Sequence, residues 1–267
     1  MWNDKTKKPI LGFLVLTFLI AWICEGVLIL VEQTGIVSGI AGFITVTMYR
    51  GIGAASAPAW AMFILLKKHG QIKGFKDFFL RIFETENVFK TVIITAAFFL
   101  FRFVLAMLSG QYLGDTWYFA LSAVPGLVAG IIGGGMEEPG WRGFLQPALE
   151  EKFPFVVSVL CVSLIWSVWH IPSWFVQSIN QSSTNFLSFT LYCIGLSFVM
   201  AALYKLTKSV FACVLFHSWS NALGSVFSMD TIINPPGFKL IYVCAIQIVA
   251  SIAIYIFVDK KKKHQIH

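Results

Sequence analysis

The feature that most constrains this chain is a succession of apolar runs, each about long enough to cross a lipid bilayer. A spanning helix needs roughly 20 mostly apolar residues. Runs of about this length lie near residues 10–31, 37–66, 88–109, 117–149, 155–171, 186–205, 209–228 and 238–258. The sequence therefore predicts an all-α, polytopic membrane protein of about eight transmembrane helices.

The composition agrees with a membrane environment. Hydrophobic residues make up 57% of the 267 residues, and the mean hydropathy is +0.77. Only 12% of residues are charged, about half the usual share of a soluble domain. The net charge of +7 comes from basic residues at the ends of apolar runs, which excludes the basic, aromatic surface of a nucleic-acid-binding protein.

The loops predict the orientation. Basic residues concentrate in alternate loops and at both termini, whereas the opposite loops contain only Lys239. Cytoplasmic loops carry an excess of Lys and Arg, so both termini are expected in the cytoplasm of a multi-pass cell-membrane protein. The residues that set this orientation are Lys5, Lys7, Lys8, Lys67, Lys68, Lys73, Lys76, Arg81, Lys152, Lys205, Lys208 and the run Lys260–Lys263.

Residues 1–267 are expected to form a single integral membrane domain, with a motif-bearing core at about 117–228. The second and fourth apolar runs are longer than a span requires, so breaks are expected there. Candidate breaks are Pro58 and Gly51–Gly53 in the second run, and Pro125, Gly133–Gly135 and Pro139 in the fourth.

Three polar groups lie inside the predicted spans. Ionisable residues within a membrane are costly, so they are candidates for a functional role. The first group is Glu137, Glu138 and Arg142, the second is His170, and the third is His217 with Asn221.

The spacing of these residues allows them to share a site. Glu138 and Arg142 are four apart, so on a helix they can form an ion pair on one face. Such a pair leaves Glu137 to face elsewhere. His217 and Asn221 are also four apart and can point into one cavity.

The depth of these residues in the membrane gives a second test of whether they can share a site. If the fourth and fifth spans form a hairpin near Glu151–Pro154, Glu137 and His170 both lie about 22–26 Å from the turn at 1.5 Å per residue. The two side chains can then be level with each other. Elsewhere in the spans, Glu25 and Arg102 are both in the outer half, which favours an ion pair between them over a contact with substrate.

The motifs resemble those of the CAAX protease and bacteriocin-processing family, the intramembrane proteases that include the Ras-converting CAAX endopeptidases. That family's pattern is Glu-Glu-x-x-x-Arg, then Phe-x-x-x-His, then His-x-x-x-Asn. The first and third motifs are complete here. In the second, Trp166 replaces the phenylalanine that precedes His170 by four residues.

The resemblance implies roles for each motif residue. Glu137 and His170 would hold and activate the attacking water, while His217 and Asn221 would form an oxyanion site. The resemblance allows both a metal-free glutamate-type hydrolase and a metalloprotease. The oxyanion role of His217 favours the metal-free site with no cofactor. Zinc held by Glu137, His170 and His217 is the alternative, since two histidines and a carboxylate are a familiar zinc set. Glu138 and Arg142 would hold the other site residues in position.

The expected function is hydrolysis of a peptide bond in a membrane-associated substrate, either a prenylated CAAX peptide or a leader peptide. The expected partners are membrane lipid and a peptide or small protein substrate at the inner leaflet, and no nucleic acid. The alternative is a non-catalytic peptide-binding or bacteriocin-immunity protein that uses the same cavity. Substrate identity and oligomeric state are left open by the sequence.

Overall fold

The computed structural model describes residues 8–36, 39–108, 130–179, 181, 184–224 and 239–266. Within those ranges the chain is helical and contains no strand. The prediction of an all-α protein is confirmed. The helices are α1 (Ile10–Gln33), α2 (Gly39–Arg50), α3 (Ala57–Lys68), α4 (Phe75–Phe83), α5 (Val88–Leu108), a composite helix α6 over residues 135–150, α7 (Phe155–Trp169), α8 (Phe186–Thr207), α9 (Val210–Gly224) and α10 (Lys239–Ile266).

The long apolar helices confirm a multi-pass membrane protein. They are apolar all round rather than on one stripe, as expected where lipid surrounds the bundle. Five of the eight expected spans correspond to helical segments of the described chain that are long and apolar enough to cross a bilayer. These segments are Ile10–Gln33, Val88–Leu108, Phe155–Phe175, Phe186–Thr207 and Lys239–Lys261.

The second expected span is broken where the sequence predicted. A π-helical segment, Gly51–Ala55, separates α2 from α3. Pro58 lies in the first turn of α3, where the missing proline N–H costs no helical hydrogen bond. The segment after α3 contains α4, in which Phe78 and Ile82 are buried.

The fourth expected span is described only from residue 130 onward, and Pro125 lies outside the described residues. Its described part is irregular, as the Gly133–Gly135 and Pro139 signals predicted. Helix α6 consists of a 3₁₀ turn (Gly135–Glu137), a short α segment (Glu138–Gly140), a π segment (Trp141–Leu145) and a final α turn (Gln146–Glu150). Segments of π-helix occur frequently at functional sites.

Helix α6 is the buried centre of the bundle. It packs against α3 and α9 and touches α8, while α8 packs against α7 and α10, α5 against α9, and α1 against α3. Trp141, Arg142 and Phe144 are fully buried. Gly140 allows the close approach of α3, because a Cβ added there would lie 2.4 Å from Cβ of Pro58.

Two ion pairs join loops that the sequence placed on one side of the membrane. Lys8 pairs with Glu151, and Lys205 pairs with Glu150. The segment before α1, the α6–α7 turn and the end of α8 therefore meet at one end of the bundle. The cytoplasmic orientation of that end, the count of eight spans and the single domain stay predictions, since α9 ends at the border of the described residues.

Candidate active site

The three predicted polar groups meet at one cavity of about 230 Å³. Glu137 from α6, His170 from the end of α7, and His217 and Asn221 from α9 all line it. Glu138 and Arg142 lie behind the wall and are fully buried. The structure thus brings together residues that are up to 84 positions apart in the sequence, counting from Glu137 to Asn221.

Glu137 is held by two indole N–H groups. Its backbone N–H donates to the carbonyl oxygen of Gly134 at 2.9 Å, which closes the 3₁₀ turn that begins α6. Its Oε2 accepts from Nε1 of Trp166 at 2.6 Å and from Nε1 of Trp141 at 3.2 Å. Hydrogen bonds to a carboxylate favour its charged form and fix its orientation. Both bonds use Oε2, so Oε1 is the oxygen that a reactant in the cavity would meet.

Glu138 links Arg142 to His217. Nη1 of Arg142 lies 3.1 Å from Oε2 of Glu138, so the predicted pair is present. Oε1 of Glu138 lies 2.7 Å from Nδ1 of His217. A carboxylate beside a guanidinium acts as an acceptor, so Nδ1 of His217 donates to it. This contact orients the imidazole and leaves Nε2 for the cavity, as outer carboxylates do for functional histidines elsewhere.

His170 follows the last residue of α7 and caps that helix. Its Nδ1 lies 2.8 Å from the carbonyl oxygen of Trp166. A carbonyl oxygen can only accept, so Nδ1 carries a proton, and in the neutral imidazole Nε2 then has a free lone pair. The ring is fixed by edge contacts with Trp169 and Phe189, at centroid distances of 4.6 and 5.0 Å.

Trp166 connects the three motifs, a role that sequence reasoning missed. Besides the bond to Glu137, its ring makes edge contacts with His170 and His217 at centroid distances of 5.7 and 5.5 Å. The guanidinium of Arg142 lies 5.6 Å from the ring centroid. One signal was available in the sequence: a buried indole N–H needs a hydrogen-bond acceptor, and phenylalanine has no such group.

Gly134 lets the backbone pass close to the two groups predicted to form the oxyanion site. A Cβ added there would lie 2.1 Å from Nδ2 of Asn221 and 2.9 Å from Nε2 of His217. The backbone at Gly134 therefore borders both donors, and a side chain at this position would displace them.

The choice between a metal-free site and a zinc site stays a prediction. Across the described ranges, no three His, Cys, Asp or Glu side chains come together in a way that could hold a metal ion. Glu137, His170 and His217 line the same cavity, and Oε2 of Glu137 is engaged by two N–H donors.

The predicted ion pair between Glu25 and Arg102 is wrong. Nε of Arg50 donates to Oε1 of Glu25 at 2.9 Å. Arg102 instead donates to the Tyr192 hydroxyl at 2.9 Å and lies 5.1 Å from the centroid of that ring. Position along the span did not identify the partner, since both arginines were available to Glu25. Arg50 and Glu25 line the same cavity as Glu137.

Comparison with known proteins confirms the resemblance read from the motifs. Residues 119–223 match the family model described as "Type II CAAX prenyl endopeptidase Rce1-like", and these residues contain all three motifs. The chain is also 25% identical over 202 residues to CAAX prenyl protease 2 of Methanococcus maripaludis, an alignment that covers 68% of this chain and 74% of that protein.

Proposed function

We propose that this relative of the CAAX prenyl endopeptidases is an intramembrane endopeptidase that works without a metal. The family match and the curated relative support a protease of the CAAX prenyl endopeptidase type. The observation that carries the finer proposal is the cavity shared by Glu137, His170, His217 and Asn221. Two acceptors for a water and two donors for an oxyanion thus line one space.

Glu137 and His170 are suited to activate water. Oε1 of Glu137 and Nε2 of His170 are both acceptors, so one water can donate a hydrogen to each and direct its lone pair at the scissile carbonyl carbon. Peptide hydrolysis requires a general base at this step. Glu137 takes the proton as the C–O bond forms, and then returns it to the leaving nitrogen as the C–N bond breaks.

His217 and Asn221 are suited to stabilise the oxyanion. Nδ2 of Asn221 is a donor in any charge state. Because Nδ1–H of His217 donates to Glu138, its Nε2 donates only when the ring is protonated.

A second cavity favours a prenylated substrate over an unmodified leader peptide. It has a volume of about 220 Å³ and an almost wholly apolar lining. Met136 lies in its wall directly before Glu137 in the sequence, so this cavity adjoins the candidate site. An apolar chain attached near the scissile bond would find an apolar surface there. Its wall includes Trp60, Phe78, Phe79, Phe83 and Ile132.

The experiment is cleavage by purified protein in lipid vesicles, with matched prenylated and unprenylated CAAX peptides and leader peptides, followed by mass spectrometry. Glu137→Gln is the control, because it keeps the shape of the side chain and removes the base. We expect products from the wild type and a fall of at least roughly 100-fold in the variant. A protein that binds a peptide equally well in both forms and cuts none would be the non-catalytic binding protein instead.

A further inference from the structure

The Glu25–Arg50 ion pair forms part of the wall of the catalytic cavity, although no motif includes it. Glu25 comes from α1 and is 5% exposed, and Arg50 is the last residue of α2. Nη2 of Arg50 donates to Oγ of Ser173 at 2.8 Å, and Oγ of Ser173 donates to Oε1 of Glu25 at 3.1 Å. Three separate segments thus fix the pair.

Ser173, which contacts both members of the Glu25–Arg50 pair, also connects the pair to His170. The backbone N–H of Ser173 donates to the carbonyl oxygen of His170 at 2.9 Å. Glu25, Arg50 and His170 all line the cavity that contains Glu137. The position of the pair is therefore set by the same 3₁₀ turn, Ile171–Phe175, that follows His170.

Several hydrogen-bonding atoms in this part of the cavity wall have no partner within the part of the chain that the structure describes. Oε2 of Glu25 and Nε2 of Gln181 are buried and find no hydrogen-bond partner among the described residues, and both residues line the cavity. Arg50 has five N–H donors, of which Glu25 and Ser173 accept two. A buried polar atom without a partner is costly, so Oε2 of Glu25 and Nε2 of Gln181 favour a ligand that can satisfy them.

The charge of the pair selects the kind of ligand. Glu25 and Arg50 neutralise each other, so the wall attracts neither a free carboxylate nor a free cation strongly. It offers one acceptor, Oε2 of Glu25, beside several donors. A peptide group has the matching set, one N–H and one C=O, and it is neutral. An extended substrate inside a membrane must find partners for these groups, because lipid provides none.

We propose that Glu25 and Arg50 form a clamp for the substrate backbone, in which Oε2 of Glu25 accepts the N–H of a peptide group near the scissile bond and Arg50 donates to a carbonyl of the same segment. This inference rests on the proposed function, since it takes the occupant of the cavity to be a peptide. The clamp holds the chain through its backbone and so is independent of side-chain sequence.

Binding rather than turnover tests the clamp. The protein carries Glu137→Gln, so that peptides are retained, and its affinity is measured for a peptide series in which each amide is replaced in turn by an ester. An ester lacks the N–H donor and keeps the carbonyl. We expect one position near the scissile bond to lose roughly 10-fold or more in affinity, as for a hydrogen bond to a charged group.

The matched variant adds Glu25→Gln. Arg50 will hold the amide oxygen of the new side chain, which turns its NH₂ group towards the substrate and removes the acceptor. At the sensitive position, amide and ester peptides should then bind within about twofold of each other. Arg50→Lys keeps a charge beside Glu25 and loses the guanidinium fork, so it should weaken all peptides and preserve the ester effect.

The outcomes separate the clamp from the proposed function. If no ester position weakens binding, or if the ester effect persists in Glu25→Gln, the clamp is refuted. If Glu25→Gln does not fold, the ester series and Arg50→Lys still decide the question. Cleavage by the wild type is scored in parallel, and its absence would refute the protease proposal without changing the interpretation of the binding data.

Discussion

Replacing Trp166 with phenylalanine removes one hydrogen bond from the candidate base and leaves an aromatic ring in place. The indole N–H donates to Oε2 of Glu137 at 2.6 Å, whereas Trp141 donates to the same oxygen at 3.2 Å. The shorter bond is expected to be the stronger of the two. Trp166→Phe therefore tests whether Trp166 positions Glu137 or only fills space.

The size of the effect follows from the type of bond. A hydrogen bond to a charged group contributes about 1.5–3 kcal/mol, and each 1.36 kcal/mol is a factor of ten. If the full bond is needed in the transition state, kcat/KM should fall roughly 10- to 150-fold.

The assay is the rate of peptide cleavage in vesicles for wild type, Trp166→Phe and Trp141→Phe, with thermal unfolding of each. Trp141→Phe controls for loss of a buried indole, since Trp141 is also fully buried, and it should lose less activity than Trp166→Phe. Activity of Trp166→Phe within about threefold of wild type would refute the argument that this bond holds the base.

Three further changes probe other parts of the site. Gly134→Ala should lower cleavage by roughly 100-fold or more, the cost of losing an oxyanion donor, because the new Cβ would lie 2.1 Å from Nδ2 of Asn221. The control Gly133→Ala, with no atom within 4 Å of its Cβ, should stay close to wild type. Equal activity of the two variants would contradict the placement of Gly134 beside the oxyanion site. Glu138→Gln leaves Arg142, which is fully buried, without its counter-ion. The free energy of unfolding, measured with denaturant, should therefore drop by about 3–5 kcal/mol, and the rate of peptide cleavage should fall. A variant as stable as wild type would show that the ion pair is dispensable. Treatment with metal chelators should leave cleavage unchanged in protein assayed for metal content, whereas loss of activity that zinc restores would overturn the metal-free proposal.

Local spacing predicted much of the structure. Long apolar runs specify helices because lipid offers no partner for unpaired backbone groups, so α1, α5, α7, α8 and α10 fall close to their expected bounds. Proline and glycine located the breaks at Gly51–Ala55 and within α6. The pair of Glu138 and Arg142 followed from helical spacing, even though a π segment begins at Trp141.

Contacts between helices were not predictable in the same way. Glu25 pairs with Arg50 and not with Arg102 because α1 packs against the junction of α2 and α3, and no local pattern encodes that packing. The interhelical bonds from Glu138 to His217 and from Trp166 to Glu137 were missed for the same reason. Predicted depth placed Glu137 and His170 at one level, but only the fold showed which side chains face each other.

The central claim is that Glu137 and His170 activate one water together, and a double-mutant cycle tests it most directly. Cleavage rates are compared for Glu137→Gln, His170→Asn and the double variant in the same vesicles. Residues that act as a unit are strongly non-additive, so the double variant should be about as slow as the slower single variant. Losses that multiply across the two substitutions would show that the residues act independently, and would contradict the proposed shared site for the attacking water.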